Sequence, residues 1–298
     1  MSNKKLIQLS SFFLKLKSQP MTAVLFLCAS FSIIILFLML FFVAQEGAYA
    51  FTQFGSDLLF GMRWDLESNI FGGLPLLFGS LMVTFGALII AIPIGVSTSI
   101  FVSEVLPFYL RDPIKSIIEL LASIPSVLYG FIGLLVVVPF IQDVFGLPSG
   151  QTALTASAIL SIMTIPTIVS VSGEIISAVP KNYKEAALGL GATKWETIKS
   201  VVLPISKSGI LASIMLGFGR AVGETIAVSM VSGNQAHIAS SYFEAIYTIP
   251  SFIATHMGEA AVGSTEYSAL FGLGLILLII TFIVNTLADV VVKRGVHQ

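Results

Sequence analysis

Six long apolar stretches divide the chain, and they limit the folds open to it more than any other feature of the sequence. A helix that crosses a lipid bilayer needs about 20 consecutive apolar residues. Charged residues make up 10% of this chain, whereas soluble domains carry about 25%. The sequence therefore predicts an all-α, polytopic membrane protein with six transmembrane helices. The stretches cover residues 21–45, 71–103, 117–141, 151–173, 208–231 and 267–290.

The second stretch is too long for one upright helix. At a rise of about 1.5 Å per residue it would extend roughly 50 Å, well beyond the hydrocarbon thickness of a bilayer. It contains Pro75, Pro93 and Gly95. We therefore expect a bent or tilted helix with one end at the membrane interface.

Basic residues lie almost entirely on one side of the predicted bilayer. Apart from Arg63 and Arg220, every Lys and Arg precedes the first stretch, follows the sixth, or lies between the second and third or the fourth and fifth. By the positive-inside rule, both termini are predicted to be cytoplasmic. Residues 1–20 then form a basic cytoplasmic N-terminus, and residues 291–298 form a cytoplasmic tail. The opposite side carries the carboxylates Glu46, Asp57, Asp65, Glu67, Asp143, Glu244, Glu259 and Glu266.

The end of the first stretch also has a weak processing signal. Residues 48–50, AYA, have the small-x-small pattern of a signal-peptidase site. The apolar run before them is too long for a signal peptide, so we expect the first stretch to remain as a helix. Cleavage would leave five spans in the same orientation.

The sequence contains no pattern typical of a catalytic, metal or cofactor site. Cys28 is the only cysteine, and the three histidines are far apart. No Walker loop or G-x-S-x-G motif is present, so we do not expect the chain to hydrolyse ATP itself. The net charge of −1 gives no indication of nucleic-acid binding.

A charged segment, EAALGLGATKWETIKSVVLP at 185–204, separates the fourth and fifth stretches. Thr193 and Glu196 have the T-x-x-E spacing of a capping box, which marks the start of a helix. Asn182 is placed to cap an earlier helix, and Gly191 lies where a left-handed turn would end that helix. The segment is therefore predicted to form a helix, a sharp glycine turn and a second helix.

Each of these two helices has an apolar stripe. The stripes consist of Tyr183, Ala186, Ala187 and Leu190 on the first helix, and Trp195, Ile198 and Val202 on the second. Pro204 ends the second helix or opens the next span. Such an amphipathic segment fits the groove of another protein. Equally, it fits an interfacial elbow that rests on lipid headgroups with Trp195 as an anchor.

The same segment resembles the EAA loop of ABC-importer permeases, which has the pattern E-A-A-x3-G-x9-I-x-L-P. The matching residues are Glu185, Ala186, Ala187, Gly191, Leu203 and Pro204, with Val201 where Ile is usual. In that family the loop, here 180–207, forms a coupling helix that docks in a cleft of the ATP-hydrolysing subunit. The resemblance thus favours docking over headgroup contact, and it places Tyr183 and Trp195 on the docking surface.

The likeness covers 71–290 and implies a type I, MetI-like permease core of five transmembrane helices after the first stretch. Two motifs are more specific: SIPSVLYGF at 123–131 and GRAVGETIAVSMVSGN at 219–234. Both are similar to the phosphate-specific importer, and to its PstC-type permeases more than its PstA-type permeases. The resemblance therefore implies a multi-pass subunit of the cell inner membrane that is not itself catalytic and that translocates phosphate.

The resemblance also implies partners. These are a second, PstA-type permease, a dimer of PstB-type subunits that bind the ATP, and a PstS-type phosphate-binding protein on the outer loops 46–70, 142–150 and 232–266. Another substrate, such as molybdate, sulfate or an amino acid, remains an alternative. An ion-coupled secondary transporter is a second alternative, although the sequence shows no inverted repeat.

Arg220 and Glu224 are ionisable residues inside the fifth stretch, where each costs about 2.5–3.5 kcal/mol on insertion scales. On a continuous helix they are neighbours and can form a structural ion pair. Alternatively, Arg220 lies on the substrate path and uses its guanidinium fork on phosphate oxygens, with Glu224 tuning its position. Ser126 and Tyr129 lie beside Pro125, which interrupts the third stretch. They either line the same path or mark a simple kink.

Overall fold

The computed structural model describes residues 20–296, and this part of the chain is almost entirely helical. In chain order the helices are α1 (Pro20–Phe54), α2 (Asp57–Phe60), α3 (Leu74–Ile100), α4 (Phe108–Ser123), α5 (Ser126–Ile132), α6 (Val138–Phe145), α7 (Ala153–Ser177), α8 (Lys181–Gly189), α9 (Lys194–Thr197), α10 (Leu203–Val222), α11 (Ile226–Val231), α12 (Ile249–His256) and α13 (Thr265–Val296). Three π-helical segments extend or join these helices: Phe101–Val105 after α3, Gly133–Val137 between α5 and α6, and Ile198–Val202 between α9 and α10. A short antiparallel hairpin pairs β1 (Trp64–Asp65) with β2 (Ile70–Phe71).

Within the described residues, 6 helical segments are long and apolar enough to cross a membrane, as the sequence predicts. The first to sixth spans are Val24–Phe54, Leu74–Val105, Ser126–Phe145, Ala153–Ser177, Lys194–Val222 and Thr265–Leu287. The predicted basic N-terminus lies outside the described part of the chain up to residue 19. The boundaries of the first, third and fifth spans differ from the predicted ones, and each difference has a physical cause.

The first span continues beyond its predicted end at residue 45. It remains helical to Phe54 because its last turns pack against the sixth span and the β1–β2 hairpin. Ala50 is fully buried, and the rings of Phe54 and Phe71 meet edge to face with centroids 4.8 Å apart. Tertiary contact, rather than local apolarity, therefore sets the end of this helix.

The third span begins at Ser126 and not at residue 117. Residues 108–123 instead form α4, a separate helix that carries no buried residue. The break follows from Pro125, because the residue before a proline is pushed out of the helical conformation. Ile124 and Pro125 have ψ angles of 129° and 138°, respectively.

The fifth span begins earlier than the predicted residue 208 and breaks before the predicted residue 231. Its helix starts at Lys194 and runs through the π-helical segment into α10, with Pro204 in the first turn of α10. The proline directly follows the π-helical segment, where the regular hydrogen-bond pattern of the helix is already interrupted. The helix ends at Val222, and residues 223–225 are non-helical before α11.

The second and fourth spans form the centre of the molecule, and they pack along most of their length. Close approach is possible because α3 places glycines on the contact. A Cβ at Gly86 would lie 2.5 Å from the Ser157 hydroxyl oxygen, and a Cβ at Gly95 would lie 2.9 Å from Ile168. α3 is helical through Pro93. Nothing in the structure tests the bend predicted there.

Candidate coupling loop and intramembrane groove

The EAA loop, residues 180–207, has the predicted helix–turn–helix form at its start. α8 ends in a Schellman motif: Gly191 N–H donates to the Leu188 carbonyl at 2.9 Å, and Ala192 N–H donates to the Ala187 carbonyl at 3.1 Å. Gly191 has φ +89°, a conformation that a residue with a Cβ adopts only under strain. The predicted cap at Asn182 is wrong, because α8 follows Pro180 and has no side-chain cap.

The second helix of the loop starts with the predicted capping box. Thr193 N–H donates to Glu196 Oε2 at 2.7 Å, and Glu196 N–H donates to Thr193 Oγ1 at 3.3 Å. The box satisfies N–H groups that the first turn of any helix leaves without partners. It fixes the direction in which the chain leaves the Gly191 turn.

Most of the large apolar side chains of the loop are exposed. Tyr183, Trp195 and Leu190 are 58%, 64% and 91% exposed, respectively. Ile198 and Val202, assigned by the sequence to the same stripe, are instead buried against the spans. The exposed set forms an apolar surface that this chain itself does not cover. Its neighbours Glu185 and Ala186 are also exposed.

An ion pair that the sequence did not predict ties this loop to the second span. Lys184 Nζ contacts Glu104 Oε1 across 80 residues of sequence, and the two side chains are only 20% and 11% exposed. The only available signal was Glu104 itself, a carboxylate at an apolar helix end without a local basic partner.

Two further hydrogen bonds join the spans near the same end. Ser103 Oγ donates to the Gly173 carbonyl at 3.1 Å, and the hydroxyls of Ser172 and Ser213 lie 2.5 Å apart. All three serines are buried. A cluster of apolar residues fills the space beside them: Ile176, Val179, Val202 and Ile210, with Val96 and Ile100 packed on it. The loop is therefore held against one connected block made by the second, fourth and fifth spans.

Arg220 lies in an open groove between the fourth, fifth and sixth spans. The groove is lined by Thr167, Ala212, Met215, Leu216, Gly219, Arg220 and Asn285. Arg220 Nη1 donates to Thr167 Oγ1 at 3.1 Å, which leaves other N–H groups of the guanidinium available. Asn285 is exposed in the sixth span, and no hydrogen bond of its amide occurs within the described residues. Three polar side chains from three spans therefore meet in one apolar groove.

The predicted ion pair between Arg220 and Glu224 is absent. Among the described residues, an ion pair joins Lys184 to Glu104, and a hydrogen bond that is ionic only with a protonated imidazole joins His237 to Glu244. The cause is the break at Gly223, which removes the continuous helix that the prediction required. Arg220 lies in the last turn of α10, where the helix dipole favours a cation. Glu224 accepts a hydrogen bond from Ala227 N–H at 3.3 Å and so caps α11.

Tyr129 and Ser126 do not line the Arg220 groove. The Tyr129 hydroxyl donates to the Leu121 carbonyl at 2.8 Å, which also accepts a long, 3.4 Å bond from Ile124 N–H at the end of α4. Ser126 is the first residue of α5. A role for either residue in a substrate path stays a prediction.

The sequence of most of the chain matches one known protein family. Residues 91–295 match the family described as "Binding-protein-dependent transport system inner membrane component". The chain belongs to this permease family. The permease is 38% identical, over 264 residues, to the "Phosphate transport system permease protein PstC" of Mesorhizobium japonicum. The match covers 82% of this chain and 80% of that relative.

Two solved structures share the fold of the permease. A bacterial alginate ABC transporter matches with TM-score 0.64 and 16% identity, over 94% of this chain and 97% of the other. The MetNI methionine ABC transporter, in an inward-facing conformation, matches with TM-score 0.57 and 18% identity, over 73% of this chain and 93% of the other. At such identities the likeness concerns the fold alone, and it confirms the predicted MetI-like core.

Proposed function

We propose that this permease is the PstC-type subunit of an ATP-driven importer that carries inorganic phosphate inward across the cell membrane. The observation that carries the proposal is the 38% identity to a phosphate transport permease over 82% of the chain. The motifs at 123–131 and 219–234 lie within that likeness. The proposed partners are a PstA-type permease, a dimer of PstB-type ATPases and a PstS-type phosphate-binding protein.

The proposed coupling element is the EAA loop. Tyr183, Leu190 and Trp195 give it an exposed apolar surface, and the Gly191 turn allows close approach of a partner. In this proposal, closure of the ATPase dimer on ATP moves the loop. Because the loop is joined to the second, fourth and fifth spans, these move with it and exchange inward for outward access. The permease supplies the motion, and its partner binds and hydrolyses the ATP.

The proposed substrate path runs along the Arg220 groove and is closed by the second permease. A guanidinium fork, a hydroxyl and an amide are all suitable donors for phosphate oxygens. The groove is otherwise apolar, so it offers few contacts and holds the anion weakly, as a pathway requires. Glu224 takes part indirectly, because it caps α11 and keeps the break that places Arg220 at a helix end.

The proposed orientation places both termini and the EAA loop in the cytoplasm. It is supported by the basic residues of the EAA loop and of the segment between the second and third spans. The hairpin, residues 146–152 and residues 232–264 then face outward, where a binding protein can dock.

The decisive experiment reconstitutes the complex in liposomes. The permease is copurified with its ATPase and partner permease, and uptake of ³²P-phosphate is measured with ATP inside and binding protein outside. We expect uptake that requires both, and competition by molybdate or sulfate only at much higher concentration. Preferential uptake of another oxyanion would show that this oxyanion, and not phosphate, is the substrate. Uptake driven by an ion gradient without ATP would favour a secondary transporter and refute the proposal.

A further inference from the structure

A second pocket lies on the face opposite the EAA loop. It is formed by the outer hairpin, by residues before α12 and by α12 itself, and its lining consists of Trp64, Asp65, Leu66, Glu67, Asn234, Ala236, Tyr247, Phe252 and His256. We call it the outer pocket. It shares no residue with the Arg220 groove.

One wall of the outer pocket is aromatic. The rings of Trp64 and Phe252 meet edge to face at 4.9 Å between centroids, and those of Tyr247 and Phe252 do so at 5.0 Å. His256 stacks on Phe252 with centroids 3.9 Å apart. These contacts fix the rings to one another, so the wall is built before any partner arrives. Aromatic faces attract cations through their quadrupole.

The lining of the outer pocket also carries two exposed carboxylates, Asp65 and Glu67. Asp65 accepts hydrogen bonds from Ser68 Oγ at 2.8 Å and from Glu67 N–H at 3.1 Å. The Ser68 hydroxyl holds the pKa of the Asp65 carboxyl below its usual value, so this group is charged at neutral pH. Glu67 lines the same pocket. Two carboxylates and a set of packed aromatic rings in one pocket are a combination suited to an organic cation.

A metal ion is a poorer occupant than an organic cation. In the part of the chain that the structure describes, no group of three or more His, Cys, Asp or Glu side chains is arranged to hold a metal. Aromatic rings also offer a hard metal ion no ligand atoms. They do stack well against a guanidinium group or the stem of a lysine.

The wider surface around the pocket is acidic. The segments on this face carry Asp57, Asp65, Glu67, Asp143, Glu244, Glu259 and Glu266, against the single fixed cation Arg63. Such a surface repels a free phosphate dianion and attracts a basic protein surface. The negative charge of this face therefore favours phosphate that is delivered inside a binding protein whose docking surface is basic.

We propose that the outer pocket receives a lysine or arginine side chain from the docking face of the binding protein. The inference rests on the proposed function and adds the chemistry by which the delivery protein is recognised. The basic side chain lies along the aromatic wall and pairs with Asp65 and Glu67. Contact at this pocket anchors the carrier on the hairpin and α12, away from the Arg220 groove.

The test reverses one charge in the complete reconstituted complex. The Glu67 side chain makes no hydrogen bond within the described residues, so Glu67→Lys leaves the hairpin intact. Asp143→Lys is the matched control, because it reverses an exposed charge on the same face outside the pocket. Stimulation of ATP hydrolysis is titrated with binding protein at low and high salt.

We expect Glu67→Lys to raise the half-saturating concentration of binding protein at least tenfold, with the maximal rate unchanged. Asp143→Lys should raise it by less than threefold, and high salt should narrow the difference between Glu67→Lys and the unmodified chain. If the two substitutions raise the half-saturating concentration equally, the overall negative charge of this face, and not the outer pocket, recognises the binding protein, and the proposal is wrong. No effect of Glu67→Lys would also overturn it. Failure of the unmodified complex to respond to any binding protein would instead refute the proposed function.

Discussion

Arg220 shows how the surroundings of a single residue determine what it can do in a membrane. An unpaired guanidinium is costly in lipid, yet here it has a helix C-terminus, the Thr167 hydroxyl and an open groove. None of these three supports neutralises its charge. The positive charge therefore remains available to an anion, which a salt bridge to Glu224 would have reduced.

Substitution of Arg220 is expected to impair transport without impairing assembly. Arg220→Gln should lower phosphate uptake at least tenfold, because the groove loses its charge. Arg220→Lys should give an intermediate loss, because the charge remains and the fork is lost. The measurement is the initial rate of uptake, with complex yield after copurification as the assembly readout. Lys115→Gln, at a half-exposed cation of α4 outside both the groove and the EAA loop, is the control, and unchanged uptake in Arg220→Gln would exclude a role in the pathway.

Local spacing decided which residue contacts were predictable from the sequence. The Thr193–Glu196 box was predictable because it is formed within one turn of helix. The Lys184–Glu104 pair was not, because its partners are 80 residues apart. The Arg220–Glu224 pair failed for a different reason: the spacing rule assumes a continuous helix, and the helix ends at Val222.

At the scale of elements, the EAA loop depends on one backbone conformation. Gly191→Ala should cost about 1–2 kcal/mol of local strain, since a Cβ is disfavoured at positive φ. We expect reduced copurification of the ATPase and reduced uptake. Gly189→Ala is the matched control, because a Cβ at either glycine meets no atom within 4 Å and only Gly191 has positive φ. Equal behaviour of the two variants would show that the turn conformation is unimportant.

The link between the loop and the second span gives a separate prediction. Lys184→Glu or Glu104→Lys alone places two like charges in a largely buried contact, so each should lower uptake strongly. The double variant Lys184→Glu with Glu104→Lys restores an ion pair and should recover most of the activity. ATP hydrolysis and uptake are measured together, because loss of the link should reduce uptake per ATP. Failure of the exchanged pair to recover activity would argue against transmission through this contact.

The existence of the six spans was predictable from the lengths of the apolar stretches, whereas the residues at which the helices begin and end were not. All six spans exist, because the sequence carries enough apolar residues for each. Pro125 was recognised as an interruption, but its consequence, a separate α4, depends on the whole of residues 108–123. The extension of α1 to Phe54 depends on contacts with residues far away in sequence. Helix ends in this fold are thus decided by packing and by single breaking residues.

At the scale of the whole molecule, the two faces differ in charge and in chemistry. The face with the EAA loop is basic and has exposed apolar residues, whereas the opposite face is acidic and holds the outer pocket. The Arg220 groove lies between them and is open at the side. A chain with three such surfaces is suited to work within an assembly.

The orientation of the whole molecule can be tested with single cysteines. In a Cys28→Ser background, Lys194→Cys should react with a membrane-impermeant maleimide only in inverted vesicles. Ser149→Cys should react only in intact cells, because it lies at the other end of the bundle. Both positions are exposed in this chain, and labelling is done on the permease without its ATPase, so that docking does not cover residue 194. Labelling of Lys194→Cys from outside would reverse the proposed topology.

The glycine contacts between α3 and α7 limit where the permease can open. Gly86 packs against Ser157 and Gly95 packs against Ile168, so the backbones of the two helices are in close contact. Separating these helices would expose their backbone to lipid. A passage for a hydrated anion must therefore form at the rim of this chain, which agrees with the proposed seam between it and a second permease. It follows that neither subunit alone should conduct, and that leakage in a damaged complex should arise at the seam.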